Sequence, residues 1–129
     1  MSKLTFFVAC LLAGIARAQA GDALMCDDKR ILVKLQSGYS SPDGETSVRI
    51  EAPRELAYGL PPPAARTAFE KARYCEARVV LGSGETDMAY YRLNVMKGGK
   101  TQDWVEPCFL KINAKGPMSD ACADHRPAQ

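Results

Sequence analysis

The sequence predicts an α+β fold: a three- to four-stranded antiparallel sheet with one or two short helices on one face, stapled by disulfides. Three observations carry that expectation. The stretch RYCEARVVLGSGETDMAYYRL, residues 73–93, alternates apolar and polar residues on both sides of a glycine turn. The stretch CDDKRILVKLQS, residues 26–37, opens on capping residues and continues with apolar residues at helical spacing. Of five cysteines, Cys10 falls in the apolar N-terminal run, leaving Cys26, Cys75, Cys108 and Cys122, an even number spread over a short chain.

The first element is expected to be a short helix. Asp27 and Asp28 supply side-chain acceptors and negative charge for the free amides of a helix start, and Ile31, Leu32 and Leu35 then share one face. Ile31, Val33 and Leu35 would also suit a strand, so the caps tip the balance. Residues 38–45, GYSSPDGE, are turn chemistry. Val48, Ile50 and Ala52 alternate with charged residues, giving a half-buried strand expected to end before Pro53. In LPPPAAR, residues 60–66, three prolines lack a backbone N–H and read as a stiff surface spacer. Ala65, Ala68, Phe69 and Ala72 follow Pro63 at helical spacing, predicting a second helix over 63–73.

Two strands come next. Cys75, Ala77, Val79 and Leu81 point to one side of the first. On the second, Ala89, Tyr91, Leu93 and Val95 share a face, with Met88, Tyr90, Arg92, Asn94 and Met96 on the other. Gly82-Ser83-Gly84-Glu85 reverses the chain between them, and Gly98-Gly99 reverses it again. A last strand is expected over 102–112, with Trp104, Cys108, Leu110 and Ile112 on one side and Pro107 marking an edge or a bulge.

These stretches carry a resemblance. A Cys-Asp-Asp start, a later Arg-x-Cys-x-Ala strand, a glycine turn and a tyrosine-bearing return strand resemble small exported bacterial proteins of uncharacterised function. The resemblance covers about residues 26–109 and implies a cystatin-like or NTF2-like fold, a helix cradled by a curved sheet. It brings no activity with it. The triple proline and the Cys108/Cys122 pair depart from that pattern.

The N-terminus has the layout of a secretory signal: a positive start at Lys3, an apolar run over 4–15, then small residues in Ala16-Arg17-Ala18 and Ala18-Gln19-Ala20. The run is too short for an anchor, which needs about 20 apolar residues. A lipidation box at Cys10 would cut the run in half. The expected division is a signal peptide over 1–20 and one small domain over 21–129, with its core at about 26–112 and a tail at 113–129. The expected location is the periplasm or the extracellular space. The whole chain has 17 basic and 15 acidic residues, and Lys3 and Arg17 would leave with the signal, so 15 of each remain. A neutral chain has no field to attract nucleic acid or an anionic membrane, and no stable insertion is expected after cleavage.

In an oxidising compartment the four cysteines read as two disulfides with three conceivable connectivities. Cys26–Cys75 is the preferred first pair, tying the start of the mature chain to its central strand. Cys108–Cys122 is the second, pinning the tail. A four-cysteine zinc site is disfavoured because no Cys-x-x-Cys knuckle exists.

Catalytic readings find little support. A Cys75 nucleophile would need a base, and the only histidine is His125 in the polar tail. Asp120, Cys122, Asp124 and His125 suggest a metal only if Cys122 is reduced, so a solvated tail is expected instead. GSGETD lacks the lysine of a phosphate loop. The acids Glu51, Glu55, Glu76, Glu85, Asp87, Asp103 and Glu106 have basic sequence neighbours or sit in turns and read as surface charge. No catalytic, metal or cofactor-binding residue is nominated, and no cofactor. The candidate binding face is Met88, Tyr90, Arg92 and Met96, because aromatic, arginine and methionine side chains are favoured at interfaces. Its alternative is burial under a helix. The expected function is a non-catalytic binding or inhibitory module for a protein, peptide or envelope polymer. The rivals are a small NTF2-like enzyme and a structural subunit of an envelope complex. A deep polar pocket would mark the enzyme, a shallow exposed aromatic patch the binder, and an open apolar strand edge the subunit.

Overall fold

Asp28 begins the folded part of the chain as the sequence suggests. In the computed structural model, which describes residues 24–39, 47–102, 105–113 and 122–127, its carboxylate accepts from the Arg30 amide at 2.9 Å. Helix α1, Lys29–Gly38, follows, and the Arg30 guanidinium, hydrogen-bonded to the same carboxyl, holds it below its usual range. Ile31 and Leu35, four residues apart, are fully buried while Val33 points to solvent. Burying two such side chains contributes roughly 1.5–3 kcal/mol each. The leader-like residues 1–20, Asp103, Trp104 and Asp120 lie outside the described residues.

Four antiparallel strands form one sheet in the order β1 (Val48–Gly59), β2 (Lys71–Leu81), β3 (Thr86–Val95) and β4 (Cys108–Phe109). The β2–β3 hairpin is the spine. Its register sets Cys75 opposite Tyr91, Ala77 opposite Ala89 and Val79 opposite Asp87. The expected alternation therefore holds on both strands. Gly84, at φ +90°, takes the left-handed turn conformation, and its amide donates to the Leu81 carbonyl at 2.9 Å.

One sheet face, called inner here, packs on α1. Its core joins Ile31 and Leu35 to Val48, Cys75, Ala77, Val79, Leu81, Ala89, Tyr91, Leu93 and Phe109. The Tyr91 hydroxyl donates to the Cys26 carbonyl at 2.7 Å, satisfying a buried polar group deep in this core. Tyr39 meets Phe109 edge to face at 4.8 Å between ring centres. Disulfides join Cys26 to Cys75 and Cys108 to Cys122, with Cα separations of 5.6 and 5.5 Å. Cys75 shares the inner face with Tyr91, whereas Cys108, paired with Tyr90, belongs to the outer face. The two staples thus sit on opposite sides of the sheet.

Three expectations fail on elements. Strand β1 does not stop before Pro53 but runs on to Gly59. Register shifts between Glu51 and Arg54 and between Glu55 and Ala57 absorb the proline, and Ala52 adopts φ 50° at the first. An edge strand with a bulge tolerates a residue that cannot donate. No helix spans 63–73. Pro63–Ala65 makes a single 3₁₀ turn and Lys71 already pairs with Val95. Alanines at helical spacing bury little surface, so the hairpin ladder wins that segment. Among the described residues of the expected last strand, only Cys108–Phe109 form one, after which Leu110–Asn113 turns helical as α2. Asp87 holds that turn, its Oδ1 accepting from the Lys111 amide at 2.9 Å.

Candidate functional site

Met88, Tyr90 and Arg92 lie on the outer face of β3, as the alternation requires, and Met96 follows just after the strand; all four are half-buried. The chain segment over Tyr90 and Arg92 is not an α-helix but the tail, expected to be solvated. Residues 122–127 dock here through the Cys108–Cys122 staple and the 3₁₀ turn Ala123–His125. Arg92 donates from Nη1 to the Asp124 carbonyl at 2.7 Å and from Nε to Asn94 Oδ1 at 2.8 Å. The Arg126 guanidinium lies 5.2 Å from the centre of the Tyr90 ring, within cation–π range. Cys122, at φ 63°, turns the chain onto the sheet.

His125 sits half-buried beside Arg92, Asn94 and Glu106, around a niche of about 30 Å³. A water's share of liquid volume is about 30 Å³, so the niche matches a single small group rather than a substrate. Burial, then the Arg92 charge, lowers the His125 pKa from 6.5; Glu106 and Asp124 oppose that shift. Cys75, the one candidate nucleophile, is oxidised on the far side of the sheet from this imidazole. Among the described residues no three His, Cys, Asp or Glu side chains converge as a metal site.

The proline segment forms the opposite wall. Pro61, Pro62 and Pro63 rise beside Tyr74, whose hydroxyl donates to the Leu60 carbonyl at 2.8 Å. Arg66 holds the bend by donating from Nε to the Pro61 carbonyl at 3.0 Å. Between this wall and Ala123, Asp124 and Arg126 opens a cleft of about 430 Å³, with Ala57, Gly59 and Tyr74 among its lining residues. A second cleft, about 560 Å³, continues past Pro62 and Pro63 to Phe69 and Arg92. A third, about 520 Å³, lies behind the wall between Leu60, Arg66, Phe69 and Lys97. The three share the proline segment, and Leu60, which lines the first and the third, is 60% exposed.

Comparison of the chain with protein-family models, with curated proteins and with solved structures gives no match in any of the three.

The acids are not uniformly surface charge. On β1 and β2, Glu51 pairs with Arg49 and Arg78, Glu76 with Arg54, and Glu55 with Arg73. Arg73 also lies 4.5 Å from the Tyr58 ring centre. Asp87, in contrast, is 3% exposed. Its Oδ2 accepts from the Tyr39 hydroxyl at 3.2 Å and its Oδ1 from the Met88 amide at 2.7 Å. Burial, reinforced by that carboxylate, pushes Tyr39 up to about 12. Asp87 is a structural junction of α1, β3 and α2.

Of the nominated residues Met88, Tyr90, Arg92 and Met96, only Arg92 lines one of the three clefts; Leu60, the prolines, Tyr74, Arg66 and Arg126, which line them too, were not nominated from the sequence. One signal was available: if Cys108 lies on a sheet face and is bonded to Cys122, residues beside Cys122 must cover that face.

Proposed function

We propose that the protein is a non-catalytic binding or inhibitory module of the periplasm or extracellular space, meeting a protein, peptide or envelope polymer in the outer-face groove. The observation that carries this reading is the pairing of two stiffened walls over an apolar floor. Prolines fix one wall, a disulfide fixes the other, and the clefts between them are open to solvent. Pre-set walls lose little conformational freedom on binding, so contact area converts more efficiently into affinity. Export is supported by the signal-like layout of residues 1–20 and by the use of four cysteines as disulfides.

The rival readings have weaker support. The polar niche at His125 is water-sized, where an enzyme calls for a deep polar pocket. Strand β1 offers an edge broken by two irregularities and a proline, where edge-to-edge assembly calls for a straight one. Among the described residues no helix is long and apolar enough to cross a membrane.

A photo-crosslinking amino acid at Leu60, compared with one at Val33 on the solvent side of α1, tests the reading in producing cells. Light-dependent adducts from Leu60 alone are expected. Adducts from neither position, or equally from both, would overturn it.

A further inference from the structure

We propose that the groove, together with the adjoining cleft behind its proline wall, takes an extended acidic peptide segment, an inference that rests on the groove being the binding surface. Charge is distributed unevenly over the described residues. On the β1–β2 side each arginine of the sheet is matched: Arg49 and Arg78 with Glu51, Arg54 with Glu76, Arg73 with Glu55. Around the proline wall the balance tips. Arg66, Arg92, Arg126 and Lys97 line the three clefts against only Asp124 and Glu70.

Arg66 and Arg92 also keep donors in hand. A guanidinium has five N–H groups in a planar fork suited to a carboxylate. Among the described residues, Arg66 uses only Nε, on the Pro61 carbonyl, and forms no ion pair. Arg92 spends one donor on Asn94 and one on the Asp124 carbonyl, again with no ion pair.

The lining selects among polyanions. Between the cations the described walls are mainly proline, alanine, leucine and phenylalanine, and among the described residues no Asn, Gln, Ser or Thr lines any of the three clefts. Tyr74, the one neutral hydroxyl among those described lining residues, already donates to Leu60. Sugar hydroxyls would find few neutral partners in such a groove. A peptide whose carboxylates alternate with apolar side chains would meet both kinds of surface, cations by charge and walls by burial.

The probe is a fluorescein-labelled peptide of repeated Glu-Leu-Glu-Pro, followed by anisotropy with the oxidised, signal-free protein. The expected result is saturable binding that a matching Lys-Leu-Lys-Pro peptide does not compete, weakened by added salt. Arg66→Glu and, separately, Lys97→Glu should each weaken binding by about tenfold, as reversal of a charge at an interface rim does. Lys29→Glu, the same charge change on α1, should leave it unaltered. Equal binding of the lysine peptide, or no effect of either groove reversal, would overturn the proposal. So would Arg66-dependent binding of polygalacturonate or phosphatidylglycerol vesicles in preference to the peptide. Leu60 adducts in cells with no acidic-peptide binding would sink the acidic occupant and leave the groove standing; loss of both would sink the two together.

Discussion

Arg92 reaches across 32 residues of chain to hold the Asp124 carbonyl at 2.7 Å. That bond, with Arg126 over Tyr90, converts a terminal segment into a wall of the groove. In Arg92→Leu the tail loses its charged donor, and a hydrogen bond from a charged group contributes about 1.5–3 kcal/mol, less where solvent reaches it. Faster amide exchange is expected over residues 122–127, with β2 and β3 unchanged. Uniform exchange across the molecule would contradict the assignment of Arg92 as a local latch.

The two disulfides should differ in what their removal breaks. Cys26–Cys75 spans 49 residues and anchors the core, so loop entropy assigns it about 4 kcal/mol; the 14-residue span of Cys108–Cys122 corresponds to about 3 kcal/mol. Cys26→Ala/Cys75→Ala is expected to lose cooperative urea unfolding or shift it strongly downward. Cys108→Ala/Cys122→Ala is expected to keep the β-sheet circular dichroism and free the tail alone.

His125 gives tail docking a pH dependence. Its folded pKa is depressed from 6.5, so the docked state binds its proton less readily than the released state. Docking is therefore complete above about pH 6.5 and weakens as pH falls toward the lower folded value. The groups facing it are Arg92 and Asn94 on β3, Glu106 before β4, and Asp124 on its own turn. Backbone amide shifts of residues 122–127 followed between pH 8 and pH 5, a window of about 1.5 units on either side of that reference, report it. His125→Phe should flatten the profile.

Ala52 stands in the left-handed region at φ 50°, where a side chain costs about 1–2 kcal/mol. Ala52→Gly removes that cost but gives the unfolded chain more freedom. The net expectation is a gain of up to about 1 kcal/mol in urea unfolding. A loss would mean that the Ala52 methyl contributes packing at the bulge.

Much of the scaffold was legible because its signals are local. Asp28 before Ile31 and Leu35 specified α1, and strict alternation around Gly84 specified the β2–β3 hairpin and both of its faces. The misreadings fall where tertiary pairing overrides a local pattern. Pro53 stops a strand in isolation but survives in a bulge at an edge. Alanines 65, 68 and 72 are spaced for a helix yet bury too little to hold one against the ladder. Asp87 looks like turn charge until Tyr39 and Lys111, 48 and 24 residues away, converge on it. The groove was half legible: alternation put Tyr90 and Arg92 together on the outer face, but nothing local tells that prolines 61–63 and residues 122–127 stand beside Arg92.

The most direct measurement is Leu60 photo-crosslinking in cells that make either the native protein or Cys108→Ala/Cys122→Ala. If the docked tail is a wall of the binding groove, adducts form with the native protein and disappear in the variant while its sheet stays folded. Adducts of equal yield from both would show that the groove assembled by the tail is not where this protein meets its partner.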